Sequence, residues 1–151
     1  MLNGLAVRRE AEGFARAPGV RDPLVHRIIG CAIEVHRTLG PGLLESVYAR
    51  CLAYELLSRD VRFREQVPIP VCYKGVRLEC GFRLDLLVDD RVILEIKSVD
   101  KVLHVHRAQL HTYMRLTNVQ VGYLMNFNSP RLIDGVQRIT LRSAEEDSSL
   151  T

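Results

Sequence analysis

The chain has 151 residues, enough for one domain with its own core, and its 47% hydrophobic and 26% charged residues exclude a disordered chain. Residues 22–142 hold 17 basic and 13 acidic side chains, whereas residues 143–151 add three acids and no base, so the body of the chain suits a polyanionic partner. No apolar run approaches the roughly 20 residues that span a bilayer. The N-terminal stretch MLNGLAVRREAEGFARAPG carries acids and no continuous apolar segment, which argues against a secretory signal. Cys31, Cys51, Cys72 and Cys80 form no CxxC pair and no zinc-type spacing with histidine, so reduced thiols in a cytoplasmic protein are expected.

In chain order, residues 1–21 read as a flexible N-terminal extension rich in Ala, Arg and Gly. Asp22-Pro23 resembles a helix N-cap followed by proline at the first helical position. Leu24, Ile28, Cys31, Val35 and Leu39 recur at helical spacing, which predicts a helix over 23–38, stopped by Gly40-Pro41-Gly42. A second helix is expected over about 43–58, with Leu44, Val47, Cys51 and Leu52 on its apolar side. From Val61 the period becomes that of strands: one near 62–72, a turn at Tyr73-Lys74-Gly75, further strand from about 76 to 88, and another over 91–98. Pro68 and Pro70 favour an edge position or a bulge for the first of these. Residues 106–117 return to helical spacing through Leu110 and Met114. QVGYLMNF, residues 120–127, reads as a strand buried on both faces, and a last strand is expected over about 136–142 before a flexible acidic tail, 143–151. The order α-α-β-β-β-β-α-β-β predicts a single α/β or α+β domain, residues 22–142, on a mixed sheet.

The stretch RLDLLVDDRVILEIKSVD, residues 83–100, places charges inside an otherwise apolar hairpin. A two-residue loop at Asp89-Asp90 would set each strand's apolar face beside the other's charged face, which register selection disfavours. A three-residue loop, Asp89-Asp90-Arg91, pairs Val88 with Val92 and Asp85 with Glu95. It lines one side with Leu84, Leu86, Val88, Val92, Leu94 and Ile96 and gathers Asp85, Glu95 and Lys97 on the other. Two carboxylates held across a strand pair repel unless a cation or a proton lies between them. An oxygen-rich site of this kind suits Mg²⁺ or Mn²⁺. From composition alone, an exposed hairpin face with a Glu–Lys pair accounts for the pattern equally well.

Asp85 followed by Glu95-Ile96-Lys97, with flanking helices, resembles the core motif of the PD-(D/E)XK nuclease superfamily. GLLESVY, residues 42–48, resembles the GxxExxY pattern of one family within it, and AQLHTY, residues 108–113, is similar to the Q-x-x-x-Y helix of its exonuclease-like branch. The resemblance runs from about residue 22 to 142. It implies a restriction-endonuclease-like core, a mixed sheet flanked by helices. It also implies Asp85 and Glu95 as metal ligands, the backbone carbonyl of Ile96 as a further one, Glu45 facing the metal through water, and Lys97 as the catalytic lysine. Gln109 and Tyr113 are implied near the active site or the nucleic-acid backbone. The implied activity is Mg²⁺- or Mn²⁺-dependent phosphodiester hydrolysis, with DNA as the nucleic-acid partner; a domain that keeps the fold and binds nucleic acid or protein without cutting is the second reading. A homodimer or a protein partner is left open.

Other residues carry weaker signals. His104, His106 and His111 cluster around the start of the third helix, where a surface or capping role outweighs metal binding. His36 fits a place near Glu45 or a helix-end role. Gly42 fits a turn before the helix, Tyr48 fits core packing with one polar end, and Arg83 fits either a phosphate contact or an ion pair.

Overall fold

A computed structural model describes residues 21–141; the expected acidic tail, and the N-terminal extension up to residue 20, lie outside the described residues. The first helix, α1, covers Pro23–Leu39. Its start is set by Asp22, whose Oδ1 accepts the Leu24 N–H at 2.9 Å, with Pro23 at a position whose missing N–H costs nothing. Gly40 ends it at φ +69, where its own N–H reaches the His36 carbonyl at 2.7 Å.

Helix α2 covers Glu45–Ser58 and buries Tyr48, Leu52, Ala53 and Leu56. This differs from the expected apolar side. Leu52 is buried and Cys51 half-buried, but Leu44 and Val47 face solvent. Apolar residues lie all round α2, so hydrophobic spacing alone does not choose its inner face. Tyr48 does, through a fully buried ring whose hydroxyl is tied to the preceding loop.

Five strands precede the next helix: β1 Phe63–Pro68, β2 Val71–Tyr73, β3 Val76–Leu78, β4 Arg83–Val88 and β5 Val92–Lys97. The two long strands expected over 62–72 and 76–88 are thus each broken. Pro70 cannot donate to a ladder, and Gly81 sits at φ +76, a conformation that leaves the strand path. Helix α3, His104–Thr117, leads to β6 Val121–Asn126, a short 3-10 turn at Leu132–Gly135, and β7 Val136–Thr140. The main sheet has the order β1-β4-β5-β6-β7, with β5 and β6 parallel and the other neighbours antiparallel; β2 and β3 form a separate hairpin. The proline-bearing β1 takes an edge and the apolar β6 an inner place, as their sequences require.

The sheet is covered on both faces. Leu86, Val88, Val92, Leu94 and Ile96 pack with α1, α2, Tyr123, Met125 and Phe127. Leu87, Ile93 and Leu124 pack with Leu110 and Met114 of α3. Leu84, expected with the first group, belongs to the second. The switch falls where both strands depart from regular pairing: Gln66 adopts φ +49 between the Glu65–Leu86 and Val67–Leu84 pairs, and opposite it Asp85 takes the Ile96 N–H through its side chain; Phe63 packs on the α1–α2 side while Val67 and Leu84 pack on the α3 side. Among the described residues no helix is long and apolar enough to cross a membrane.

Gly122 sets how closely α3 approaches the sheet. A Cβ there would lie 2.8 Å from Met114 Sδ and 3.0 Å from Leu110 Cδ1, both fully buried side chains with little room to move. Gly122→Ala is expected to destabilise the domain by about 1–3 kcal/mol through overpacking, read as a lower urea midpoint at unchanged m-value. An unchanged midpoint would show that α3 is not seated through this glycine.

Candidate active site

The β4–β5 hairpin takes the register that its hydrophobic pattern demands. Val88 pairs with Val92, Leu87 with Ile93 and Leu86 with Leu94, around a loop of Asp89, Asp90 and Arg91. Both loop aspartates adopt positive φ, +50 and +53. Past Leu86–Leu94 a side chain takes over the cross-strand bonding. The Asp85 Oδ2 accepts the Ile96 N–H at 2.8 Å, and the Asp85 N–H reaches Glu95 Oε1 at 3.5 Å. Ile96 thus donates its N–H to Asp85, and its carbonyl, the expected further metal ligand, is a separate group on which this bond does not bear.

Four acids lie in this hairpin, and their surroundings divide them. Asp89 and Asp90 stand on the surface among Arg62, Arg64 and Arg91, within 2.9–3.7 Å. Asp85 is half-buried, Glu95 is 6% exposed, and among the described residues neither has an ion-pair partner within 4 Å. Lys97 and Glu45 do act on Asp85 at longer range, the first favouring and the second opposing its charge. Burial raises the Asp85 carboxyl above its usual range despite the Ile96 N–H and Lys97. Glu95 is pushed up to about 8, first by burial and then by the charge of Asp85, with Lys97 opposing. Arg83, at the exposed start of β4, forms no ion pair among the described residues.

Glu45 is delivered from the other side by the N-terminus of α2. Its Oε1 accepts the Ser98 N–H at 3.3 Å, and the Ser98 hydroxyl donates to the Leu43 carbonyl at 2.5 Å. Ser98 therefore stitches the end of β5 to the loop before α2. Tyr48 holds that loop from below: its hydroxyl donates to the Gly40 carbonyl at 2.5 Å and accepts the Leu43 N–H at 3.1 Å. Its ring stacks on Phe127 at 4.6 Å between centroids. Gly42, at φ +98, makes the turn that sets Glu45 as the first helical residue.

Two of these supports escaped sequence reasoning. Ser98 follows the E-x-K triplet directly, and Asn126 closes an apolar strand as the register partner of Lys97. Asn126 is buried; its Oδ1 accepts from Val99 and Asn128 N–H groups at 3.1 and 3.2 Å, and its Nδ2 donates to the Val99 carbonyl at 2.9 Å. A polar side chain ending the run QVGYLM was the available signal.

Of the α3 residues, Tyr113 is half-buried, and its hydroxyl is raised by burial and by the charges of Glu95 and Asp85, which places it in the field of the acids. Gln109 is exposed beside it. Both line a groove of about 390 Å³ with Phe82, Val105 and Leu116. His106 caps α3, its Nδ1 accepting the Leu103 N–H at 3.0 Å, while His104 and His111 are exposed. His36 donates from Nε2 to the Ser129 carbonyl at 2.8 Å, a tie at the end of α1.

The donors at the hairpin are all oxygens, two of them half-buried or buried carboxylates whose mutual repulsion a divalent cation would relieve. Among the described residues no three acid, histidine or cysteine side chains close around one point. A hard cation held by one or two carboxylates, with water and phosphate completing its shell, needs no such cluster, and the oxygen donors suit it.

The metal-free protein should show the cost of this arrangement as a pH-dependent stability. The Glu95 value of about 8 lies above the 4.5 of an ordinary glutamate, so between the two the folded chain holds a proton that the unfolded chain has released. The stabilising contribution is fully present below the ordinary value and is lost as pH rises through about 8. Urea midpoints in chelator are expected to fall from about pH 5 to about pH 9, and Glu95→Gln is expected to flatten the fall. Equal slopes in both proteins would mean that Glu95 titrates normally.

The search of the curated proteins found no match, and neither did the search of the solved structures. A family model described as the PD-(D/E)XK nuclease superfamily matches residues 22–139, nearly the whole described domain. On that match, which takes in both strands of the acid-bearing hairpin and the helices on either side, the chain belongs to the PD-(D/E)XK nuclease superfamily.

Proposed function

We propose that the domain is a divalent-metal-dependent nuclease of the GxxExxY type that hydrolyses phosphodiester bonds in DNA. The observation that carries this reading is the contrast within one hairpin. Two surface acids are surrounded by arginines, while half-buried Asp85 and buried Glu95 face each other with a lysine nearby and no ion pair within 4 Å among the described residues. A structural ion-pair network would neutralise the second pair as it does the first; a cation site would leave it open.

In this reading Asp85 and Glu95 would hold Mg²⁺ or Mn²⁺, with Glu45 as a further acid facing it. The bound ion supplies a Lewis acid for the phosphoryl oxygens and a water of lowered pKa. The chain's own residues do the positioning. The Asp85 Oδ2 is fixed by the Ile96 N–H, which orients the carboxylate toward Glu95, its side-chain hydrogen-bond partner. Lys97 orients the attacking water and offsets charge that grows on the phosphate as the ester oxygen departs. Gln109 and Tyr113 guide the strand along the α3 groove, and exposed Arg83 contacts a neighbouring phosphate. Contacts are mostly to the backbone, so affinity falls as salt rises.

Asp85→Asn keeps an acceptor for the Ile96 N–H and removes the charge, so the hairpin stays intact. Both Asp85→Asn and Lys97→Ala are expected to lower the cleavage rate on DNA by about 10²–10³-fold or more, with Mg²⁺ binding by calorimetry lost only in Asp85→Asn. Wild-type protein that binds DNA in a salt-dependent way but takes up no Mg²⁺ and cuts neither single- nor double-stranded DNA would instead identify a binding module.

A further inference from the structure

We propose that the outer face of α2 is an interface between two copies of this chain, packed antiparallel about a two-fold axis. A helix exposed on one side is ordinarily polar there, and a helix apolar all round is one that is covered all round. The inner face of α2 is filled by Tyr48, Leu52 and Leu56, yet its outer face carries Val47, Tyr54 and Leu57, which are 38%, 70% and 68% exposed. Single exposed apolar residues are normal. These three are not scattered. With Arg50 they fall at 47, 50, 54 and 57, a three-four-three spacing that draws one straight seam along a helix. Leu43 and Leu44, also exposed, extend the patch into the loop before it.

The seam is self-complementary in one orientation only. Run antiparallel about its midpoint, Val47 of one copy meets Leu57 of the other, and Arg50 of one copy meets Tyr54 of the other, each contact occurring twice as two-fold symmetry requires. Arg50 then lies against an aromatic face, a favourable cation–π pairing. A parallel arrangement would instead set Arg50 against Arg50. That reciprocal matching of aliphatic to aliphatic and cation to aromatic ring, written into a single helix, is what names a second copy as the occupant. Arg50 is free to turn outward, since its ion pair to Glu65 at 3.5 Å is on the surface, with the arginine side chain 79% exposed. Because Glu45 begins α2, the antiparallel pair would set the two candidate metal sites about 20 Å apart along the helix axes, so one assembly would present two sites. The interface itself does not depend on the nuclease reading.

Sedimentation equilibrium on the full chain, in chelator, tests this without reference to activity. Wild type is expected to sediment as a dimer at micromolar concentration. Arg50→Glu is expected to weaken dimerisation at least about tenfold by losing the cation–π contact, and Tyr54→Arg by opposing Arg50. The double variant sets the introduced carboxylate of one copy against the introduced guanidinium of the other across the two-fold, and is expected to recover dimerisation to within about threefold of wild type. Circular dichroism confirms that each variant is folded. A wild type that stays monomeric up to about 200 µM would overturn the proposal, as would single variants that dimerise like wild type, or a double variant no better than the singles.

Discussion

Everything in the site depends on the pairing of Val88 with Val92. That register puts aliphatic side chains of both strands against the α1–α2 layer, and no other short register does. Its consequence is that Asp85 and Glu95 arrive opposite each other, in a place where water is largely excluded and where a lone charge costs several kcal/mol. The strands respond at that point: a carboxylate takes the Ile96 N–H in place of a carbonyl. A proton on Glu95 relieves the repulsion in the metal-free chain, and a divalent cation would relieve it more fully.

Around this pair the molecule invests in rigidity. Tyr48 and Phe127 stack, Tyr48 pins the turn at Gly40–Leu43, Ser98 ties that turn to β5, and Asn126 gathers the chain after Lys97. Three segments far apart in sequence are thereby locked at one corner of the sheet. In the segment GLLESVY the glycine and the tyrosine act as props for the glutamate between them. Gly42 makes a positive-φ turn, Glu45 starts the helix, and Tyr48 lies about one helical turn further on with its ring buried.

Much of this was legible in the sequence, because period and turn chemistry speak directly there. The Asp22-Pro23 cap, the three-residue loop, the edge place of β1 and the buried β6 follow from local rules. The inner face of α2 was not legible: apolar residues line the helix on both sides, and the choice belongs to Tyr48, whose hydroxyl partners come from the preceding loop. The side switch of Leu84 was hidden in the same way, since it accompanies irregular backbone at Gln66 and Asp85, where the two strands face each other. The breaks at Pro70 and Gly81 were visible as residues but not as boundaries. Asp85 and Glu95 meet because the hairpin register, readable from its aliphatic pattern, leaves them no other place. Ser98 and Asn126, which hold the same corner, act through backbone groups and carry no motif of their own.

If Asp85 and Glu95 form the proposed cation site, a proton on Glu95 holds its metal-free form together. A ¹³C carboxyl NMR titration of Glu95, run in chelator and again with Mg²⁺, tests it most directly. Titration near 8 is expected without metal, with a clear fall when Mg²⁺ is added. Titration in the ordinary glutamate range, unmoved by Mg²⁺, would contradict it.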